Sequence, residues 1–216
     1  MTTTTNSRPS WILASASPRR SEILSSLGLR FRVDPSLTPE PALICGETPE
    51  AYALRAARLK AREVGAKHRS GIVIGADTIV VAGKIMMGKP SCDEDARNML
   101  RRLAGRWHDV ITGICLLDCR SSRSRSAYAR SRVHFRRISA SDIEWYIRSG
   151  EHRDKAGAYA IQGCASLFIN RIEGCYFNIV GFPVAAFERL CHALGVDLKS
   201  HLLPDGFRRL KHKQGP

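Results

Sequence analysis

Between Ile72 and Val81 the chain runs through β-branched residues almost without a break, and the one charge in the run is Asp77. A half-exposed strand alternates apolar and polar residues; this run does not, so it reads as a strand buried on both faces of a sheet. Both faces then need cover, and the rest of the chain offers helices to supply it. Trp11 to Ala16 is a short apolar run. Ser17 caps and Pro18 opens a helix whose Ile23, Leu24 and Leu27 share a face, and Gly28 stops it. Phe31 and Val33 suggest a second short strand. Pro35, Pro39 and Pro41 make 35–48 an extended loop. Thr48-Pro49 repeats the cap and opens an Ala-rich, Arg/Lys-rich helix through about Val64. A hairpin turns near Gly83, and Ser91-x-x-Glu94 reads as a capping box for the helix holding Ala96, Met99, Leu100 and Leu103. Val110–Leu117 and the arginine-studded Ala127–Ile138 read as strands flanking a loop at 120–126. Ser141 is the expected cap of a helix through Arg148, and Pro183 the opening of a last helix through Leu194. Strands and helices interleaved in this way favour α/β with a mixed sheet over a bundle or a sandwich.

With 216 residues, 44% of them apolar, there is material for one core or for two lobes around a cleft. No apolar run approaches the ~20 residues that span a bilayer, so no membrane partner is expected. The opening MTTTTNSRPS lacks the apolar stretch of a secretory signal; being Thr-rich and free of acid, it leaves a weak mitochondrial reading open. Seven cysteines, an odd number without a C-x-x-C pair, point to a reduced, cytoplasmic setting. Lys plus Arg at 34 against Asp plus Glu at 20 leaves a net charge of +14, which draws the protein toward polyanions: nucleotides, nucleic acid or acidic membrane.

Three segments carry chemistry. Ala14 to Arg20 joins a strand end, a helix N-terminus and two arginines, a setting that favours an anion such as phosphate; a solvated first turn is the plainer alternative. Asp77 places a carboxylate in or beside a buried strand, where an unpaired charge costs on the order of several kcal/mol, so a metal ion or a cationic partner is expected beside it. A strand-end aspartate bonded to its own turn is the alternative. Lys89 follows on the return of the hairpin. Asp154 to Gly163 mixes small residues, which allow close backbone approach, with Gln162, whose amide can read a base edge; a plain Gly/Ala connector competes with that reading. His108, Cys115 and Cys119 read as strand residues turned into packing rather than as metal ligands.

Taken in order, these segments resemble the Maf family, the septum-formation-inhibitor-like nucleoside triphosphate pyrophosphatases. The residues that carry the resemblance are Leu13-Ala14-Ser15-Ala16-Ser17-Pro18-Arg19-Arg20-Ser21-Glu22-Ile23-Leu24; Gly75 to Val81 with Gly88-Lys89-Pro90; Gly105 to His108, Val110, Thr112 and Gly113; Ser149-Gly150-Glu151; Asp154 to Gly163; and Asn178 to Pro183. Ordered blocks from about Ile12 to Leu194 are far more specific than any one of them. The 40–48 loop is slightly long for the family pattern, and the 120–126 loop and the tail Gly206 to Pro216 lie outside it.

The resemblance implies a two-lobed Maf/ITPase-like α/β fold, its mixed central sheet flanked by helices beside a deep cleft. In domain terms it implies a disordered segment 1–9, one catalytic domain 10–204 and a basic tail 205–216. It further implies hydrolysis between the α and β phosphates with a divalent metal, Mg2+ first, Mn2+ or Co2+ as alternatives. Asp77 would be the catalytic base and, with Glu40, a metal ligand. Ser17, Arg19, Arg20, Lys60 and Lys89 would surround the triphosphate. Arg19, Thr78 and Gln162 would govern substrate choice, and the Asp154–Gly163 block looks like the dTTP/UTP branch rather than the 7-methyl-GTP branch. A homodimer stays open. The competing reading is a nucleic-acid-binding protein without catalysis, resting on Arg120, Arg123, Arg125, Arg130, Arg132, Arg136 and Arg137 and on the tail. Only Tyr128 and Phe135 interleave with those arginines for base stacking, so the enzyme, with weak non-specific nucleic acid binding through its Arg-rich loop, is the stronger reading.

Overall fold

A computed structural model describes residues 10–203, so the expected N-terminal segment and basic tail lie outside the described residues. One seven-stranded mixed sheet organises the chain. Strands β1 (Trp11–Leu13), β2 (Phe31–Val33), β3 (Ile72–Ala82), β4 (Ile85–Met87), β5 (Trp107–Asp118), β6 (Ser124–Phe135) and β7 (Ile169–Glu173) alternate with helices α1 (Pro18–Ser26), α2 (Pro49–Gly65), α3 (Asp93–Leu103), α4 (Ala140–Arg148), α5 (Tyr176–Val180) and α6 (Val184–Leu194). The strand order is β2-β1-β3-β5-β6-β7, with β4 beside β3; β1 runs parallel to both β2 and β3, and every other pair is antiparallel.

The doubly buried strand is β3, and Asp77 does not interrupt it: β3 pairs with β5 without a register break from Ile72↔Asp118 to Val81↔Asp109. Its other edge is divided. β1 takes Ile72–Ile74 and β4 takes Val80–Ala82, so no strand lies against Gly75–Ile79 there. The sheet therefore has a gap at its centre, and Asp77 and Thr78 stand at it.

On one face, α2 lies directly against β3 and β5. A Cβ on Gly75 would come within 2.3 Å of the Ala57 carbonyl, and one on Gly113 within 2.2 Å of the Ala53 carbonyl. These two glycines, opposite the alanines of α2, let helix backbone touch sheet backbone. On the other face, one apolar cluster joins Ile72, Ile74, Ile114 and Leu116 to α1 and α6, and a second joins Val80, Val110, Val133 and Phe135 to α3 and α4. Among the described residues no helix is long and apolar enough to cross a membrane.

Several boundaries differ from those read in the sequence. The N-cap of α3 is Cys92, not Ser91, because Asp95 rather than Glu94 turns back to bond the Ser91 amide and hydroxyl; Glu94 instead pairs with Arg97 and Arg101. Helix α4 is capped by Ser139, in a reciprocal capping box with Asp142, while the Ser141 hydroxyl only meets that of Ser139. Strand β6 starts three residues earlier than its apolar content suggests, since ladder pairing with the long β5 carries it out to Ser124.

Candidate active site

A cleft of about 710 Å3 opens at the gap in the sheet. Ser17, Arg19, Arg20, Glu40, Lys60, Asp77, Thr78 and Lys89 all line it, and they come from α1, α2, β3 and two loops. Gln162, alone among the expected site residues, does not.

Asp77 is buried on β3, on the face covered by α2, and its Oδ1 accepts a hydrogen bond from Lys60 Nζ at 2.5 Å. The contact exists because Gly75 and Gly113 let α2 settle onto the sheet. The cation expected to offset the Asp77 charge is thus partly Lys60. Among the described residues, none donates a hydrogen bond to the other Asp77 oxygen, Oδ2. Burial, followed by the charges of Asp77 and Glu40, raises the Tyr52 phenol, which places both carboxylates near that ring. Glu40 is exposed, on the 35–48 loop, with Oε2 3.2 Å from the position a Gly88 Cβ would take. Among the described residues no three His, Cys, Asp or Glu side chains gather to hold an ion alone. Two carboxylates facing a cleft of cations suit Mg2+, which keeps waters and takes phosphate oxygens as ligands, better than an ion needing an all-protein cage.

Arg20 is buried under the cleft. Its Nε donates to the Gly181 carbonyl (2.9 Å), Nη1 to Ser15 Oγ (2.9 Å) and Nη2 to Thr78 Oγ1 (3.1 Å). Burial pulls this guanidinium down to about 10 against the opposing pull of Asp77. Arg19, also lowered by burial, Lys89 and Lys155 face one another at the rim. Lys155 is lowered first by desolvation and then by the charge of Arg19, with Asp154 and Glu151 opposing and Lys89 adding the smallest pull. Like charges held together without enough acid form a receptor for a polyanion. Ser17 occupies the N-cap position of α1 but makes no side-chain cap bond. The backbone N–H of Ser17 instead donates to Ser15 Oγ at 3.2 Å. Ser15 therefore accepts from both Ser17 and Arg20, leaving its own proton for the cleft.

Ser15, Ser36, Thr38, Lys155 and Tyr159 are lining residues the sequence reading missed. Lys155 was legible as a cation inside the Gly/Ala-rich block. Ser15 and Tyr159 lay inside segments read as carrying chemistry without being singled out there, and Ser36 and Thr38 carry no signal before folding.

The far end of the cleft is apolar: Val80, Val110, Tyr159, Ile161 and Ile179. Tyr159 is fixed from behind, its hydroxyl 2.8 Å from Nε2 of the buried His108. The close backbone approach expected of the Asp154–Gly163 block does occur, but toward Glu151. A Cβ on Gly163 would fall 2.1 Å from Glu151 Oε2, and that carboxylate accepts the amides of Cys164 (2.7 Å) and Ala165 (3.4 Å) and the Tyr146 hydroxyl (3.1 Å). Gln162 is exposed as a result, one residue beyond Ile161.

The arginines behind the nucleic-acid reading are elsewhere. None of Arg120, Arg123 and Arg125 lines the cleft, and of the two interleaved aromatics Phe135 is fully buried.

Residues 10–194 match the family model described as Maf-like protein. A "dTTP/UTP pyrophosphatase" of Koribacter versatilis is 48% identical over 185 residues, covering 86% of this chain and 94% of the relative. One of the same description from Clostridioides difficile is 45% identical over 174 residues, covering 81% and 89%. A solved nucleoside-triphosphatase / dITP/XTP pyrophosphatase from Mycobacterium abscessus superposes at a TM-score of 0.37 with 17% identity over 61% of this chain and 76% of that one, too loose a likeness to argue from.

Proposed function

This chain belongs to the Maf family, and from that premise we infer that it hydrolyses dTTP and UTP between the α and β phosphates, releasing the monophosphate and pyrophosphate. The observation that carries the reading is a buried carboxylate, Asp77, at the floor of a cleft whose rim holds Arg19, Lys89 and Lys155.

The roles follow from position. The triphosphate lies among Arg19, Arg20, Lys89 and Lys155, with the Ser15 and Ser17 hydroxyls at the α1 N-terminus, where helix amides also favour negative charge. These groups stabilise the charge that collects on pyrophosphate as it leaves. Asp77 Oδ2 takes the proton of the attacking water, and Lys60 holds the carboxylate in place through Oδ1. Nucleotide pyrophosphatases of the Maf family are generally divalent-metal dependent; here Asp77 and Glu40 would hold the ion, which we take to be Mg2+. Bound there it would neutralise phosphate charge. The base enters the apolar end, against Tyr159 and Ile161. Arg19 and Thr78, which line the cleft, and Gln162, exposed one residue beyond Ile161, are the proposed determinants of substrate choice.

A panel of nucleoside triphosphates with Mg2+ tests the reading. The expected result is pyrophosphate as first product, with dTTP and UTP ahead of CTP, and ATP and GTP poor. Orthophosphate as first product, or a preference for purines, would overturn it.

A further inference from the structure

Arg20 belongs to a closed circuit of hydrogen bonds whose direction can be worked out. Thr112 on β5 is fully buried, and its Oγ1 donates to the Asn178 carbonyl at 3.0 Å. A carbonyl only accepts, so the single Thr112 proton is committed there. Thr112 sits directly across from Thr78 in the β3·β5 ladder, and their hydroxyl oxygens are 3.0 Å apart. Thr78 must be the donor of that bond. With its proton turned inward, Thr78 Oγ1 offers Arg20 Nη2 a lone pair, at 3.1 Å. The circuit closes through α5 and its cap: Asn178 takes the proton of Thr112, and Gly181, three residues on, accepts Arg20 Nε. Gly181 has φ +115, and a Cβ there would lie 3.4 Å from Thr78 Oγ1. The α5 end is fixed in turn by Asn178 Nδ2, which donates to the Val110 carbonyl (2.9 Å) and to Ser131 Oγ (3.0 Å).

We propose that Thr112 is a positioning residue for nucleotide binding: by holding the Thr78 proton inward it keeps Thr78 an acceptor, so that the Arg20 guanidinium is locked beneath the triphosphate. Thr112 touches no substrate, since it does not line the cleft. Without its hydroxyl the Thr78 proton is free to turn toward a guanidinium that has no lone pair to receive it. The proposal rests on the reading of the cleft as a triphosphate site.

Thr112→Val, close in shape to threonine, tests it, with inorganic tripolyphosphate and Mg2+ as the calorimetric probe and dTTP as the kinetic one. Expected is a rise of about tenfold in the Kd for tripolyphosphate and in KM for dTTP, the scale of one hydrogen bond to a charged group, with a fall in kcat no larger than that rise, since Arg20 also meets the charge that collects on the leaving pyrophosphate. Thr112→Ser, which keeps the hydroxyl, restores both. In a Thr78→Val background, Thr112→Val adds little, because the pair act in series. Near-UV circular dichroism checks that each variant is folded. If Thr112→Val does not fold, the proposal is decided on Thr112→Ser against Thr112→Ala, the serine alone binding tripolyphosphate as wild type does. An unchanged Kd, a loss confined to kcat, a serine variant as weak as the hydroxyl-less one, or additive effects with Thr78→Val would each overturn it. Tripolyphosphate binding by a wild-type protein that cleaves no nucleotide would sink the pyrophosphatase reading and leave the positioning role standing.

Discussion

At the scale of single residues, two burials have consequences that can be measured. Asp77→Asn keeps the size of the side chain and removes its proton acceptor and its charge, so turnover of dTTP should fall at least ~100-fold with the fold retained. Activity within a few-fold of wild type would remove Asp77 from the chemistry. His108 is 2% exposed, and burial lowers it from 6.5 to about 4, the pull of Asp109 only partly opposing this. Between these values the unfolded chain binds a proton that the folded one refuses. Its contribution is therefore fully present above pH 6.5 and is lost as the pH falls toward 4, by about 3 kcal/mol. Chemical denaturation at pH 7, 5.5 and 4.5 should show this decline, and His108→Gln, which still offers the Tyr159 hydroxyl a partner, should make it shallower. An unaltered slope would show that other groups carry the acid sensitivity.

At the scale of elements, the site depends on how closely α2 lies on β3 and β5. Gly75→Ala would drive a methyl group into the backbone of α2 at Ala57, so we expect a loss of about 2 to 4 kcal/mol in stability. It should also lower activity at temperatures where the protein is still folded, because moving α2 draws Lys60 away from Asp77. Thermal melts paired with assays well below the transition separate the two effects, and a destabilised variant with full kcat would argue that the Lys60 contact is dispensable. This dependence also marks the limit of what could be read from the chain. Most strands and helices were legible, because β-branched runs and Ser/Thr-Pro caps are local signals, and so were Asp77, Arg19, Arg20 and Lys89 as charges in informative settings. Cys92 as a cap was not, since the choice between Ser91 and Cys92 turned on which acid, Asp95 or Glu94, folded back. Ser15, Thr112 and Tyr159 fell within the segments that carry the family resemblance, but their roles were not legible: those come from partners 5 to 66 residues away in sequence, and nothing local records the pairing.

For the molecule as a whole, the +14 charge is distributed so that one part serves the cleft and another lies apart from it. Arg120, Arg123 and Arg125 are exposed at the β5–β6 turn. Replacing all three with Gln should weaken any binding of single-stranded DNA and flatten its salt dependence, each lost phosphate contact removing about one counterion-release step. Pyrophosphate release should hardly change; a parallel fall would tie that turn to the cleft. The halves of the site also differ in what anchors them. Asp77 lies midway along a central strand paired without a break to its neighbour over ten residues, under a helix packed backbone to backbone. Glu40 rides a loop tied to α2 and the segment just after it by polar contacts: the Leu37 amide to Glu63, Arg55 to Glu47 and the Ala42 carbonyl, and, past the helix end, Asp34 to His68, while Leu37, Leu43 and Ile44 stay exposed. Such a loop opens at a far lower free-energy cost than the central strand. In deuterium exchange, amides of 35–47 should therefore label early and those of Ile72–Val81 only with global unfolding, and equal rates would contradict this. On the proposed roles of Asp77 and Glu40, the base would stay in place while one ligand of the ion site came and went with its loop, so that occupancy of the ion site would depend on loop closure as well as on metal concentration.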